Sequence, residues 1–131
     1  MKVFIDTSYF VARVMERDQW HRMAIRAAAP GLTYYTSSLV INETVSLLQA
    51  RGMFSTALTF LERTRWNEAI RTIHPDPVVQ EEAWDLFGKW GGSGANAIDC
   101  VSFAMMNRAG IRKAFTFDQH FRMAGFETLN Q

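Results

Sequence analysis

Near the start of the chain, three consecutive apolar residues, Val3-Phe4-Ile5, run straight into a carboxylate and two small hydroxyl residues, Asp6-Thr7-Ser8. A strand with no polar alternation is buried on both faces, which places it inside a parallel sheet covered by helices on either side. In such a sheet ligands gather outside the carboxyl ends of the strands, and Asp6 stands at one of those ends. A charge there is costly without a cation, a hydrogen-bond donor or water. Asp6 or Thr7 also suits the N-cap of a following helix. Which role dominates depends on where the other acids fall.

The remaining chain alternates between strand-like and helix-like stretches. A short helical turn carries Tyr9, Phe10 and Val11, and a helix is expected from Asp18 to Ala29, closed by Pro30-Gly31. Leu32-Thr33-Tyr34-Tyr35-Thr36 reads as a second strand with Ser37-Ser38 as a cap, followed by a helix from Leu39 to Arg51. Another helix opens at Ser55, Glu68 to His74 alternates as a third strand, and Pro75-Asp76-Pro77 turns into a helix through Trp84 and Phe87. Gly88 and Gly91-Gly92-Ser93-Gly94 are expected to form the most flexible stretch, with Lys89-Trp90 embedded in it. A helix over 97–109, a fourth strand Lys113 to Phe117 and a short edge strand Glu127-Thr128-Leu129 complete the pattern. Strands alternating with helices predict a three-layer α/β/α sandwich on a mainly parallel sheet of four to five strands, formed by one domain over 1–131.

Composition narrows the class. With 48% hydrophobic and 21% charged residues the chain is globular, and no apolar run is long enough to span a bilayer. Charges at Asp6, Arg13, Glu16, Arg17 and Asp18 interrupt any secretory apolar region. The one cysteine, Cys100, excludes an internal disulfide and a cysteine-built zinc site, which fits a cytoplasmic protein with no membrane partner. Fourteen Lys and Arg against 13 Asp and Glu leave a net charge of +1, so charge alone does not call for nucleic acid.

Four carboxylates occupy awkward positions. Glu43 lies on a helical stripe with Val40 and Leu47, and Asp99 shares a face with Ser102, Phe103 and Met106. Asp118 follows the fourth strand as Asp6 follows the first, and it also suits an N-cap for Gln119-His120-Phe121. Helices begin where parallel strands end, so one sheet edge can gather Asp6, Glu43, Asp99 and Asp118. Carboxylates crowded together raise one another's pKa unless a cation sits among them. Oxygen ligands without thiolate select magnesium or manganese, in one or two ions, and such a site is built to bind phosphate and activate water. His21, His74 and His120 share no zinc-motif spacing and read as surface or cap residues. Thr7, Ser8 and Thr116 carry hydroxyls able to orient the carboxylates, while Asn96 and Ser93 stand ready to cap the helix of Asp99. The alternative for Thr116 is a β-branched residue chosen for its strand.

Taken in order, these motifs resemble the PIN domain family, and within it the VapC group of toxin ribonucleases. The resemblance rests on Ile5-Asp6-Thr7-Ser8, Asn42-Glu43, Ala97-Ile98-Asp99-Cys100-Val101-Ser102-Phe103-Ala104 and Thr116-Phe117-Asp118-Gln119-His120-Phe121, whose four acids are separated by 37, 56 and 19 positions. It implies an endoribonuclease dependent on Mg2+ or Mn2+, with Asp6, Glu43, Asp99 and Asp118 as catalytic metal ligands. It also implies a homodimer held inactive by a small antitoxin protein. Asn96 departs from the serine often found three residues before the third acid.

The same acids serve two other readings: a free-standing PIN nuclease in RNA processing or decay, and a non-catalytic metal- or RNA-binding module. Dehalogenase-type phosphatases require an aspartate where Ser8 stands, and receiver domains require an acidic pair and a late lysine that are missing. For RNA contact the sequence offers Arg13, Arg17, Lys89, Trp90 and Arg122. Large apolar groups including Met15, Trp20, Met53, Phe54, Phe60, Trp66 and Trp84 exceed what one small sheet readily covers, which predicts an interface for a second copy or an antitoxin.

Overall fold

A computed structural model describes residues 1–130. Its sheet has four strands, β1 (Lys2–Ile5), β2 (Thr33–Ser37), β3 (Ile70–Ile73) and β4 (Lys113–Phe115), in the order β3-β2-β1-β4. Every neighbouring pair is parallel, with Val3 beside Tyr34 on one side and Lys113 on the other. Seven helices flank it: α1 (Thr7–Val14), α2 (His21–Ala27), α3 (Ser38–Ala50), α4 (Phe54–Arg65), α5 (Pro77–Trp90), α6 (Ala97–Ala109) and α7 (Gln119–Met123). The expected α/β sandwich is therefore present.

β1 is interior because Val3, Phe4 and Ile5 have no polar face to offer water, and all three are buried. Each such side chain contributes roughly 1.5–3 kcal/mol relative to exposure. From β1 the chain builds outward through β2 and β3, then returns to add β4 on the opposite side of β1. That reversal opens a crevice beyond the carboxyl ends of β1 and β4, where ligands bind in open α/β sheets. Asp6 and the segment Thr116 to Asp118 are the residues delivered to it. A buried Thr36 hydroxyl donates to the Ile5 carbonyl at 2.9 Å, tying β2 to the last residue before Asp6.

Several boundaries differ from the sequence reading, each for a local reason. β4 stops at Phe115 instead of Phe117, because the Phe117 N–H is donated to Ser8 Oγ and the Asp118 N–H to Thr116 Oγ1. The fifth strand at 127–129 reduces to a single parallel bridge between Lys113 and Glu127. α2 starts at His21, since Asp18 Oδ1 takes the Trp20 N–H and holds 18–20 in a turn. β3 begins at Ile70, because Asn67 Oδ1 takes the Ala69 N–H. The glycine-rich stretch is largely helical: Gly88, Lys89 and Trp90 end α5, and Gly91–Ser93 form one 3-10 turn. Among the described residues no helix is long and apolar enough to cross a membrane.

Of the large apolar groups expected at an interface, Phe54, Trp66 and Trp84 are more than half exposed, whereas Phe60 is buried. Met15, Trp20 and Met53 are half-buried against the core.

Candidate active site

Asp6 leaves β1 with extended backbone and caps α1, yet the residue is only 4% exposed. Oδ2 accepts from Thr116 Oγ1 at 2.8 Å and from Ser8 Oγ at 3.1 Å. Ser8 Oγ in turn accepts the Phe117 N–H at 2.9 Å, and Thr116 Oγ1 accepts the Asp118 N–H at 3.0 Å. The two hydroxyls thus join the end of β1 to the segment after β4 and aim Asp6 in the same step. On the other side, the Thr7 hydroxyl donates to Glu43 of α3.

Asp99 is placed by helix capping. Asn96 Oδ1 accepts the Asp99 N–H at 2.8 Å and Asp99 Oδ2 accepts the Asn96 N–H at 3.0 Å, a reciprocal capping box that satisfies two donors at the start of α6. The cap and the buried position coexist, with Asp99 6% exposed. Asp118 caps α7 as the sequence allowed, accepting the His120 N–H at 2.9 Å, and its Oδ1 also lies 2.7 Å from His120 Nδ1. Glu43 is half-buried at the margin.

All four acids, with Thr7, Ser8 and Asn96, line one cleft of about 370 Å³ at the crevice between β1 and β4. Burial pushes Asp6 up to about 6, against the pull of the Thr116 hydrogen bond, and the charges of Asp118 and Glu43 add to the rise. Burial likewise raises Asp99 to about 7, opposed by the Asn96 N–H and reinforced by Asp118, Asp6 and Glu43. Two buried carboxylates facing two more acids form a site of unbalanced negative potential, and the donors are oxygens. A hard divalent cation fits those carboxylate oxygens, and carboxylate oxygens of Asp99 and Asp118 already lie within 4.8 Å of each other, beside a ring nitrogen of His120.

The structure does not bring the proposed RNA-binding residues into this cleft. Arg13 hydrogen-bonds Tyr9 at 3.2 Å and lines a separate crevice with Phe60 and Thr64. Lys89 sits 4.9 Å over the half-buried Trp90 ring at the end of α5. Arg17 and Arg122 are exposed outside the lining. In their place Asp18, Trp20, Arg51 and Phe117 line the cleft. His120, read from the sequence as a surface or cap residue, is half-buried with its Nδ1 against Asp118. Its Nε2 crowds Gly94, where a Cβ would lie 2.7 Å away, a contact visible only in three dimensions.

A profile of the PIN domain family matches residues 3–127 of the chain. The chain is 32% identical over 126 residues to the 23S rRNA-specific endonuclease VapC20 of Mycobacterium tuberculosis, covering 95% of each. It is similar to the crystal structure of that protein, a sarcin-ricin loop cleaving toxin, with a TM-score of 0.86 at 30% identity and 95% coverage of both chains. It shares its fold with VapBC2 of Rickettsia felis, crystallised with a promoter DNA fragment, at a TM-score of 0.72 and 12% identity over 98% of this chain and 97% of that one.

Both raised carboxyls hold protons more tightly in the folded than in the unfolded chain. Between pH about 4 and 7 the native state therefore binds more protons, and the stability these groups contribute is lost as pH rises. Asp6→Asn removes that loss at one position. In metal-free buffer the variant is expected to exceed the parent by about 1–3 kcal/mol at pH 8 and to approach it only near about pH 3.5, below the unfolded carboxyl's range. Denaturant titrations at the two pH values measure this, and a variant less stable than the parent at pH 8 would contradict it.

Proposed function

The chain belongs to the PIN domain family, and from that premise we propose that it is a metal-dependent endoribonuclease, the toxin of a VapBC-like pair, acting on 23S ribosomal RNA. The observation that carries this reading is the convergence of Asp6, Glu43, Asp99 and Asp118 on one cleft at the point where the strand order reverses. The similarity to VapC20 over nearly the whole chain supports the ribosomal substrate and favours the toxin over a free-standing nuclease.

Asp6, Asp99 and Asp118 would hold a magnesium or manganese ion, with Glu43 at its margin. Such an ion supplies Lewis acidity, offsetting phosphate charge and making water a stronger nucleophile near neutral pH. The chain does the positioning. Thr116 and Ser8 fix Asp6, the Asn96 N–H fixes Asp99, His120 fixes Asp118 and Thr7 fixes Glu43. Glu43, half-buried where Asp6 and Asp99 are buried, accepts the proton released by the attacking water. Arg51 on the cleft wall contacts RNA phosphate, and the exposed Arg17 and Arg122 extend that contact along the strand. Arg13 and Lys89 with Trp90 serve more distant parts of a large RNA.

The protein acts as a homodimer restrained by a small antitoxin. Phe54 and Leu58 on α4 stay 63% and 45% exposed, a cost that a protein partner would remove. An arginine from the antitoxin, pairing bidentately with a carboxylate, would occupy the acid cluster and silence it.

Asp99→Asn tests the chemistry. On purified ribosomes, with the cut mapped by primer extension, the variant should lose at least about a hundredfold in rate, the upper end of what removing a mere orienting partner costs. Parent-like cleavage by the variant, or parent cleavage that survives chelation, would overturn the reading. Assembly is tested by sedimentation at micromolar concentration: a dimer is expected, and a strict monomer would contradict it.

A further inference from the structure

One wall of the cleft is aromatic. Trp20, held just before α2, lines the cleft beside the acids, and its indole stacks on the Phe117 ring with centroids 5.0 Å apart and planes 2° from parallel. Phe117 is 8% exposed, directly precedes Asp118 and donates its N–H to Ser8 Oγ. The plane of the indole is thus set by a ring tethered to the same hydroxyl that holds Asp6. Asp18 Oδ1 accepts the Trp20 N–H at 2.8 Å and fixes the backbone from the other side. Trp20 remains only partly buried, and among the described residues no other aromatic ring stacks on it.

Resting on the nuclease reading, we infer that Trp20 is the stacking platform for an unpaired nucleobase next to the scissile phosphate. A phosphodiester bound at the acids carries a base on each side, and the cleft wall is the surface within their reach. An indole offers a π-face and no sequence code, so the platform accepts any base whose own face is free. A base inside a continuous helix has both faces covered. Trp20 therefore selects looped or single-stranded RNA, and with Arg51 on the same cleft it pairs a stacking surface with a phosphate contact. Its partial burial against the core also gives it a packing role, which the test separates from stacking.

The test is a cycle between protein and RNA. Trp20→Phe keeps a ring, whereas Trp20→Leu keeps apolar cover without one. Both are checked for a parent-like unfolding midpoint and dimer content, then assayed for KM and kcat on an RNA hairpin carrying the mapped cut site. Trp20→Leu is expected to raise KM about tenfold with kcat little changed, and Trp20→Phe to stay within about threefold of the parent. An abasic nucleotide scanned across the cut should cost the parent a similar factor at one flanking position and cost Trp20→Leu almost nothing more there. Parent-like KM in Trp20→Leu, or abasic and protein losses that simply multiply, would overturn the inference while leaving the nuclease reading intact. Trp20→Leu that weakens only self-association or antitoxin binding would assign Trp20 to a protein contact and overturn it too. A parent that cleaves no RNA would remove both readings together.

Discussion

The structure depends on a carboxylate that is almost completely withdrawn from water. Asp6 is tolerated at the end of a doubly buried strand because two hydroxyls, from Ser8 and Thr116, donate to one of its oxygens. Those hydroxyls also receive the backbone N–H groups of Phe117 and Asp118, so the bonds that satisfy Asp6 also end β4. Removing a buried partner from such a network leaves a polar group without water, a cost of about 1–3 kcal/mol. Fold and site are therefore built from the same few bonds.

The fold concentrates negative potential instead of dispersing it. Parallel strands send their carboxyl ends to one edge, and the helices that leave this edge begin with capping residues. Asp6, Asp99 and Asp118 each take part in a cap, and each cap turns a carboxylate toward the same cleft. The helix N-termini soften the repulsion without removing it, since Asp6 and Asp99 both stay well above the ordinary carboxylate range. A site left with more negative charge than its hydrogen bonds can balance is suited to a divalent cation and the phosphate that accompanies it.

Much of this was legible in the sequence where local pattern and burial agree. An unbroken apolar run marked β1, and acids on apolar helical stripes marked Glu43 and Asp99, because a charge in such company breaks the amphipathic rule. Features that depend on how distant segments meet were not legible. Glu127-Thr128-Leu129 read as a short edge strand, but only one residue pairs. The glycines at 88, 91 and 92 suggested a loop, although they are accommodated within the end of α5 and the turn after it. Trp20 and Phe117 are nearly a hundred positions apart and gave no local sign of stacking. Surface cations such as Arg13 and Lys89 carry no signal of direction, so their distance from the cleft was visible only in three dimensions.

The acid cluster as a cation site is tested most directly by thermal unfolding at pH 7.5 across a titration of magnesium and of manganese, with Asp99→Asn as the control. The expected result is a saturable rise in the parent's midpoint, worth about 2.7 kcal/mol when the ion reaches a hundred times its dissociation constant, and a much smaller rise in the variant. A parent midpoint that does not move with either ion, or that moves equally in the variant, would contradict the assignment of these carboxylates as metal ligands.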